Sequence, residues 1–452
     1  MYRSTLGMLG AGTENTFLSS TYTWLFFNIL ALICFALFIL LATNLSRKLI
    51  VIAGGIVCAT TLTLQVLSPI GISTDYYRYI WQGRVSNAGQ SNYSLVPWDA
   101  GVENANKELF ERMDWRDVKS VYPPLAEQYF RIPAALFDSA ILKNTSFQIR
   151  LDMSRLPSLL LFVLSAFLLY KITSYKLVGF VWLALPFLQF ELVNSAHVDV
   201  LSIVLVMGAL LALKSKNLSA HLLAGALISA AGMVKLAPLL LIIPAACYLL
   251  VNFSIKRALA SVVGFIAIIA LSVQPYINDG FALSKRTIFW LSGGEFSIGN
   301  PLYEIANHIS SDYGAVFLKA LAIFSGVAII ISIIRKVFRK HFNFNEMLKY
   351  SLLLTLIPFI ASPIAFPWYW ITPLVFILAI ITSNHQSLKP SNVLVFVLCV
   401  VLLLAQYVDR AIIIPPEKRV IFSIAVSLVF YTTFLYLLIK LFKDRTGRLR
   451  YE

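Results

Sequence analysis

The apolar positions of this chain fall into long unbroken runs of Leu, Ile, Val, Phe and Ala rather than alternating with polar ones, from a first run at residues 24–43 to a last at 421–439. Each run is near the roughly 20 residues that carry a helix across a bilayer. An isolated helix satisfies its own backbone in lipid, whereas a barrel would need short alternating strands, so the pattern predicts an all-α bundle of membrane-spanning helices. Residues before Thr23 lack the basic start and apolar core of a cleavable leader, and 24–43 is therefore expected to be a true span. Threading the runs so that basic connections share one side predicts about thirteen helices, with the N-terminus outside and the C-terminus inside.

This threading makes the chain one integral membrane unit whose large polar connections all lie on one side. The longest is 71–155, the second is 276–312, and shorter turns fall at 194–199, 364–370 and 409–419. Loops of the larger size carry function more often than they merely connect. Residues 123–142 are long enough to span but contain Glu127, Arg131 and Asp138. Each such charge costs roughly 2.5–3.5 kcal/mol at the bilayer centre, so the segment is expected to be an interfacial or re-entrant helix with the three charges on one face.

Composition agrees with the pattern: 59% of the 452 residues are hydrophobic and only 13% charged. The formal charge of +15 raises nucleic-acid binding as a possibility, but its position along the chain argues otherwise. Arg47 and Lys48, Lys171 and Lys176, Lys214 and Lys216, Lys256 and Arg257, and 335–340 sit in the short connections on one side. That is the positive-inside bias of a membrane protein, and no nucleic acid is expected as a partner. Cys34, Cys58, Cys247 and Cys399 lie within apolar runs, and the five histidines show no paired ligand spacing. Neither a disulfide framework nor a metal site is expected.

The stretch Asp75-Tyr76-Tyr77-Arg78-Tyr79-Ile80-Trp81-Gln82-Gly83-Arg84 directly follows a span. On a helix, Asp75, Arg78, Tyr79 and Gln82 share a face. A carboxylate can take a proton from a hydroxyl, and a guanidinium can hold a phosphate through its planar fork. The same residues also suit an interfacial ion pair within an aromatic belt. Further candidates are Tyr122-Pro123-Pro124, whose prolines fix an extended entry to a helix, and the polar cluster Glu191 to Asp199 with His197. Lys235, interrupting an apolar block just before Pro238, calls for an anion or for snorkelling to the interface. The aromatics of Pro367-Trp368-Tyr369 suit sugar stacking or an aromatic belt.

These motifs, in this order from Thr74 to about Thr372, resemble a GT-C glycosyltransferase, more narrowly the bacterial polyprenyl-phosphate-mannose-dependent mannosyltransferases. The resemblance implies a polyprenyl-phosphate-linked sugar as donor, a hexose such as mannose, and a lipid or glycan hydroxyl as acceptor. It further implies Asp75 as general base, inversion at the anomeric carbon, no cofactor beyond the donor, and an extracytoplasmic site in a bacterial plasma membrane surrounded by lipid. Tyr76, Arg78, Tyr79, Arg84, Tyr122, Glu127, His197, Asp199, Lys235, Trp368 and Tyr369 become candidates for binding the donor's phosphate or sugar. Many relatives show a Gly-His-Asn-Asp-like turn where this chain has Ala196-His197-Val198-Asp199. A transporter or flippase of a lipid-linked glycan is the alternative, since it too would combine many helices with a basic cavity.

Overall fold

A computed structural model describes residues 47–70, 73–99, 107–175, 178–277, 306, 313–362, 366–382, 429, 431–436 and 438–439. The expected first span, nearly all of the 276–312 connection, the 409–419 turn and most of the last span lie outside the described residues. Among those described, all regular structure is helical. Three helices, Phe147–Thr173, Ile255–Tyr276 and Val316–Phe338, are long and apolar enough to cross a membrane. A fourth span exists if Pro186–Asn194 and Asp199–Leu213, bent by 113°, are counted together. The described residues are thus all helical or irregular, with helices fit by length and apolarity to cross a membrane.

Helix α1 (Arg47–Leu67) leads into α2 (Asp75–Asn87), α3 (Lys107–Arg112), α4 (Pro124–Phe137) and α5 (Phe147–Ser154). These are followed by α6 (Leu156–Thr173) and α7 (Val178–Ala184). Two cores result. One fills the bundle around Trp182, Phe187, Ile203, Met207 and Phe376. The other belongs to the 75–155 segment: Tyr76, Tyr79, Trp81, Tyr129, Phe130 and Phe137 pack together and rest on Ala196, Val198 and Val234 of the bundle.

The second core depends on a close crossing of α2 and α4. A Cβ at Gly83 would stand 2.0 Å from the Phe130 carbonyl oxygen, so only glycine permits the approach. Glu127, Arg131 and Asp138 do share a face of α4, as their spacing implies, and it is the face turned to α2 and the turn after it. Asn92 bonds Glu127, Asn87 exchanges bonds with Arg131, and Arg84 pairs with Asp138. At 14 residues, α4 is about 21 Å long, short of a crossing.

Two end-on contacts fasten this segment to the bundle. Pro123 is extended and Pro124 opens α4, leaving the amides of Leu125 and Ala126 to donate to the Met233 carbonyl at 3.0 and 3.3 Å. A helix N-terminus therefore meets the end of α10 (Leu218–Gly232), matching orphan donors to an orphan acceptor. At the other contact, Arg155 and Asn194 donate to the carbonyls of residues 65, 66, 68 and 69 and so terminate α1. The bundle continues as α9 (Asp199–Leu213), α10, α11 (Ile242–Asn252), α12 (Ile255–Val273), α13 (Gly314–Phe338), α14 (Phe344–Ala361) and α15 (Ile371–Thr382). The short α8 (Pro186–Gln189) precedes α9.

Helix α9 separates two ends of the described bundle. Asp199 begins it, while Lys214, just past its end, donates to the carbonyl of Ile172. Nearby, Asn252 donates to the Phe342 carbonyl, so several basic turns gather at the end of the bundle opposite Asp199.

Candidate active site

Asp75 is the first residue of α2, where its charge faces the helix N-terminus. Its Oδ2 lies 3.4 Å from the Tyr122 hydroxyl and 3.9 Å from His197 Nδ1. Tyr122 in turn meets the Tyr79 hydroxyl at 3.0 Å, and Tyr79 stacks on Phe130 with centroids 4.4 Å apart. The carboxylate is thus held at the rim of the segment's own aromatic core. A quarter of its side chain remains accessible, yet protein surrounds it at longer range. That burial raises its pKa to about 6, against the opposing pull of Lys235 and Arg78.

The other half of the cluster comes from the bundle. After α8 the chain forms a π-turn at Phe190–Asn194, then places Ala196 in the left-handed region at φ 46°. Such devices turn the backbone sharply and concentrate at functional sites. Here they turn His197 toward Asp75 and start α9 with Asp199. Glycine occupies the left-handed region without strain, which explains why a Gly-His turn suits this position and why Ala196 is strained. His197 is fully buried and stacks on Trp368 at 4.1 Å, while Trp368 stacks on Phe366 at 4.4 Å. Its ring nitrogens face two carboxylates, Asp75 and, at 3.2 Å, Glu191.

Lys235 lies where α10 ends and the helix resumes as a 3-10 turn at Ala237–Leu241. Its Nζ is 3.2 Å from Asp199 Oδ2 and 4.4 Å from the centroid of the Tyr369 ring. The anion it calls for is Asp199, and the ring offers a second, cation–π contact. The structure thus brings together Asp75, Tyr79, Tyr122, His197, Asp199, Lys235, Trp368 and Tyr369, drawn from five stretches of chain. A carboxylate, a cation and aromatic rings in one cluster can activate a hydroxyl and stabilise a departing anion.

Four other candidates frame this cluster instead of facing into it. Arg78 donates to the carbonyls of Trp115 and Val118 and so contributes charge at a distance. Arg84, nine residues along α2 and hence about 13 Å from Asp75, forms a paired contact with Asp138. Tyr76 donates to Ser154 at 3.0 Å. Glu127 accepts from Ser120 and Asn92, and its burial lifts its pKa to about 7 despite those bonds and Arg78. Glu191 belongs to the polar cluster marked by the sequence, but its contact with His197 arises only through the π-turn and the left-handed Ala196, while Phe366 joins the site by stacking on Trp368.

Among the described residues, no group of three or more His, Cys, Asp or Glu side chains is placed to hold a metal ion. Residues 56–252 match the family described as alpha-(1->6)-mannopyranosyltransferase, N-terminal domain. The matched segment holds Asp75, Tyr122, Glu191, His197, Asp199 and Lys235, and ends before Trp368 and Tyr369. No curated protein and no solved structure matches the chain.

Proposed function

Taking as premise that residues 56–252 carry a mannosyltransferase-family domain, and that this domain belongs to glycosyltransferases, we propose that the chain transfers mannose from a polyprenyl-phosphate donor. The acceptor is a hydroxyl of a lipid or glycan, and the reaction takes place on the extracytoplasmic face of the bacterial plasma membrane. The observation that carries this reading is the position of Asp75: a partly accessible carboxylate beside Tyr122 and His197, with Lys235 close enough to act on its charge.

In this reaction Asp75 takes the proton of the acceptor hydroxyl as the acceptor oxygen bonds to the anomeric carbon. The bond from that carbon to the phosphate oxygen breaks, and polyprenyl phosphate leaves with the electron pair. Attack opposite the leaving group inverts the centre, so a β-linked donor yields an α-linked product. With its pKa about 6, Asp75 is mostly ionised at neutral pH yet basic enough to accept a proton in the transition state. Lys235 attracts the departing phosphate, exchanging part of its contact with Asp199 for one to the donor. Tyr369 and Tyr122 present rings and hydroxyls to the sugar, whereas Trp368, stacked on His197 and Phe366, braces the wall.

The extracytoplasmic placement is supported by the charge pattern, since basic turns gather at the end of α9 opposite Asp199. The test is transfer of labelled mannose from polyprenyl-phosphate mannose to mannoside acceptors by purified protein in vesicles. Transfer by wild type and its loss in a folded Asp75→Asn variant are expected. Donor binding without transfer across an acceptor panel would favour lipid-linked glycan transport instead.

A further inference from the structure

Glu191 is fully buried, a costly place for a carboxyl group. It sits inside the π-turn, and its backbone carbonyl accepts the His197 amide at 2.9 Å. Its side-chain Oε2 lies 3.2 Å from His197 Nε2, while the other edge of the same ring faces Asp75 at 3.9 Å. The ring plane is fixed independently by the stack on Trp368. Stacking sets the plane of an imidazole but not which edge faces which way, because a half-turn about the Cβ–Cγ bond keeps the plane, and a carboxyl group within ion-pair range of one nitrogen distinguishes the two orientations. The left-handed Ala196 and the π-turn are the local strain that brings Glu191, six residues away in sequence, under His197.

We propose that Glu191 is a positioning residue that acts through His197: standing within ion-pair range of Nε2, it favours the imidazole orientation whose Nδ1 edge faces Asp75, and so shapes the surroundings in which Asp75 meets the acceptor hydroxyl. Ring orientation by a carboxyl on the far nitrogen is a general way to tune a histidine. The inference rests on the glycosyltransferase reading, and its test separates the two.

Wild type, Glu191→Gln, His197→Gln and the double variant are compared in vesicles for labelled mannose transfer from polyprenyl-phosphate mannose to octyl α-mannoside. Absence of wild-type transfer, when several mannoside acceptors are supplied, counts against the functional reading alone. Given wild-type transfer, Glu191→Gln is expected to lose roughly tenfold to a hundredfold in kcat with donor KM little changed. The double variant should be no slower than His197→Gln. Wild-type kcat in Glu191→Gln, or losses that multiply in the double variant, would overturn the proposal. If Glu191→Gln does not fold, Glu191→Asp replaces it, with the same loss confined to kcat expected and a normal kcat contradicting it. A readout independent of turnover is the ring-nitrogen resonance of His197 in protein carrying nitrogen-labelled histidine, assigned by its disappearance in His197→Gln. It should move in the Glu191 variant, and an unmoved resonance would overturn the assignment.

Discussion

The bundle and the 75–155 segment bury their interiors by different chemistry. The bundle core is built largely of aliphatic chains and phenylalanines such as Phe187, Ile203, Met207 and Phe376, which fit by shape. The core of the 75–155 segment is aromatic with polar tips. Tyr76 reaches Ser154, Tyr129 meets Ser158, and Tyr79 meets Tyr122. Shape alone tolerates exchange among apolar side chains, whereas hydroxyl tips must find partners at fixed positions. The segment that carries Asp75 is therefore the one whose core fixes direction as well as volume. The candidate site lies on the seam between the two regions, where Ala196, Val198 and Val234 of the bundle enter the aromatic core.

The largest effect expected is chemical. Asp75→Asn should reduce transfer by about 10²- to 10⁴-fold while thermal unfolding in detergent stays near wild type, since neither core loses a contact. Lys235→Gln is expected to lower kcat/KM about 10²-fold through weaker stabilisation of the departing phosphate, read from donor titrations. Both variants test the seam and leave the two cores intact.

Gly83→Ala tests the aromatic core itself. The added carbon would lie 2.0 Å from the Phe130 carbonyl, so α2 and α4 must separate, at about 3 kcal/mol. The expected result is a lower unfolding temperature together with lost activity. A tolerated Gly83→Ala would show that the crossing of α2 and α4 is looser than described.

Glu127 sharpens the comparison through pH. Its ordinary value of 4.5 rises to about 7 on folding, so the folded protein keeps a proton that the unfolded chain has already released. Stability from this group is complete below about 4.5 and is lost as pH rises through about 7. Glu127→Gln should therefore unfold at a temperature that varies less between pH 5 and 8, a flattening worth roughly 2–3 kcal/mol. The smallest effect expected is from Ala196→Gly, which relieves a left-handed alanine and should stabilise by up to about 1 kcal/mol, measured in the same unfolding assay.

Much of the architecture could be read from residue pattern because lipid imposes it. Continuous apolar runs mark helices, the charges of 123–142 argue against a span, and Tyr122-Pro123-Pro124 marks a helix start that the structure places at Pro124. Lys235 followed by Pro238 marks a helix break, and the break is there. What pattern leaves open is partner choice at long range. Nothing local reveals that Arg84 is taken by Asp138, 54 residues away, or that Arg78 is spent on the carbonyls of Trp115 and Val118. Likewise, Glu191 and His197 are six residues apart, a spacing that an ordinary α-helix places on different faces. Only the π-turn and the left-handed residue bring them into contact.

The central claim is that Asp75 is the base of a sugar transfer, and the pH dependence of turnover tests it most directly. For labelled mannose transfer, kcat/KM of the wild type should rise through an acid limb with an apparent pKa about 6, matching the raised carboxyl, and a folded Asp75→Asn should show no such limb above background. Undiminished transfer by Asp75→Asn with the acid limb still present would contradict the account.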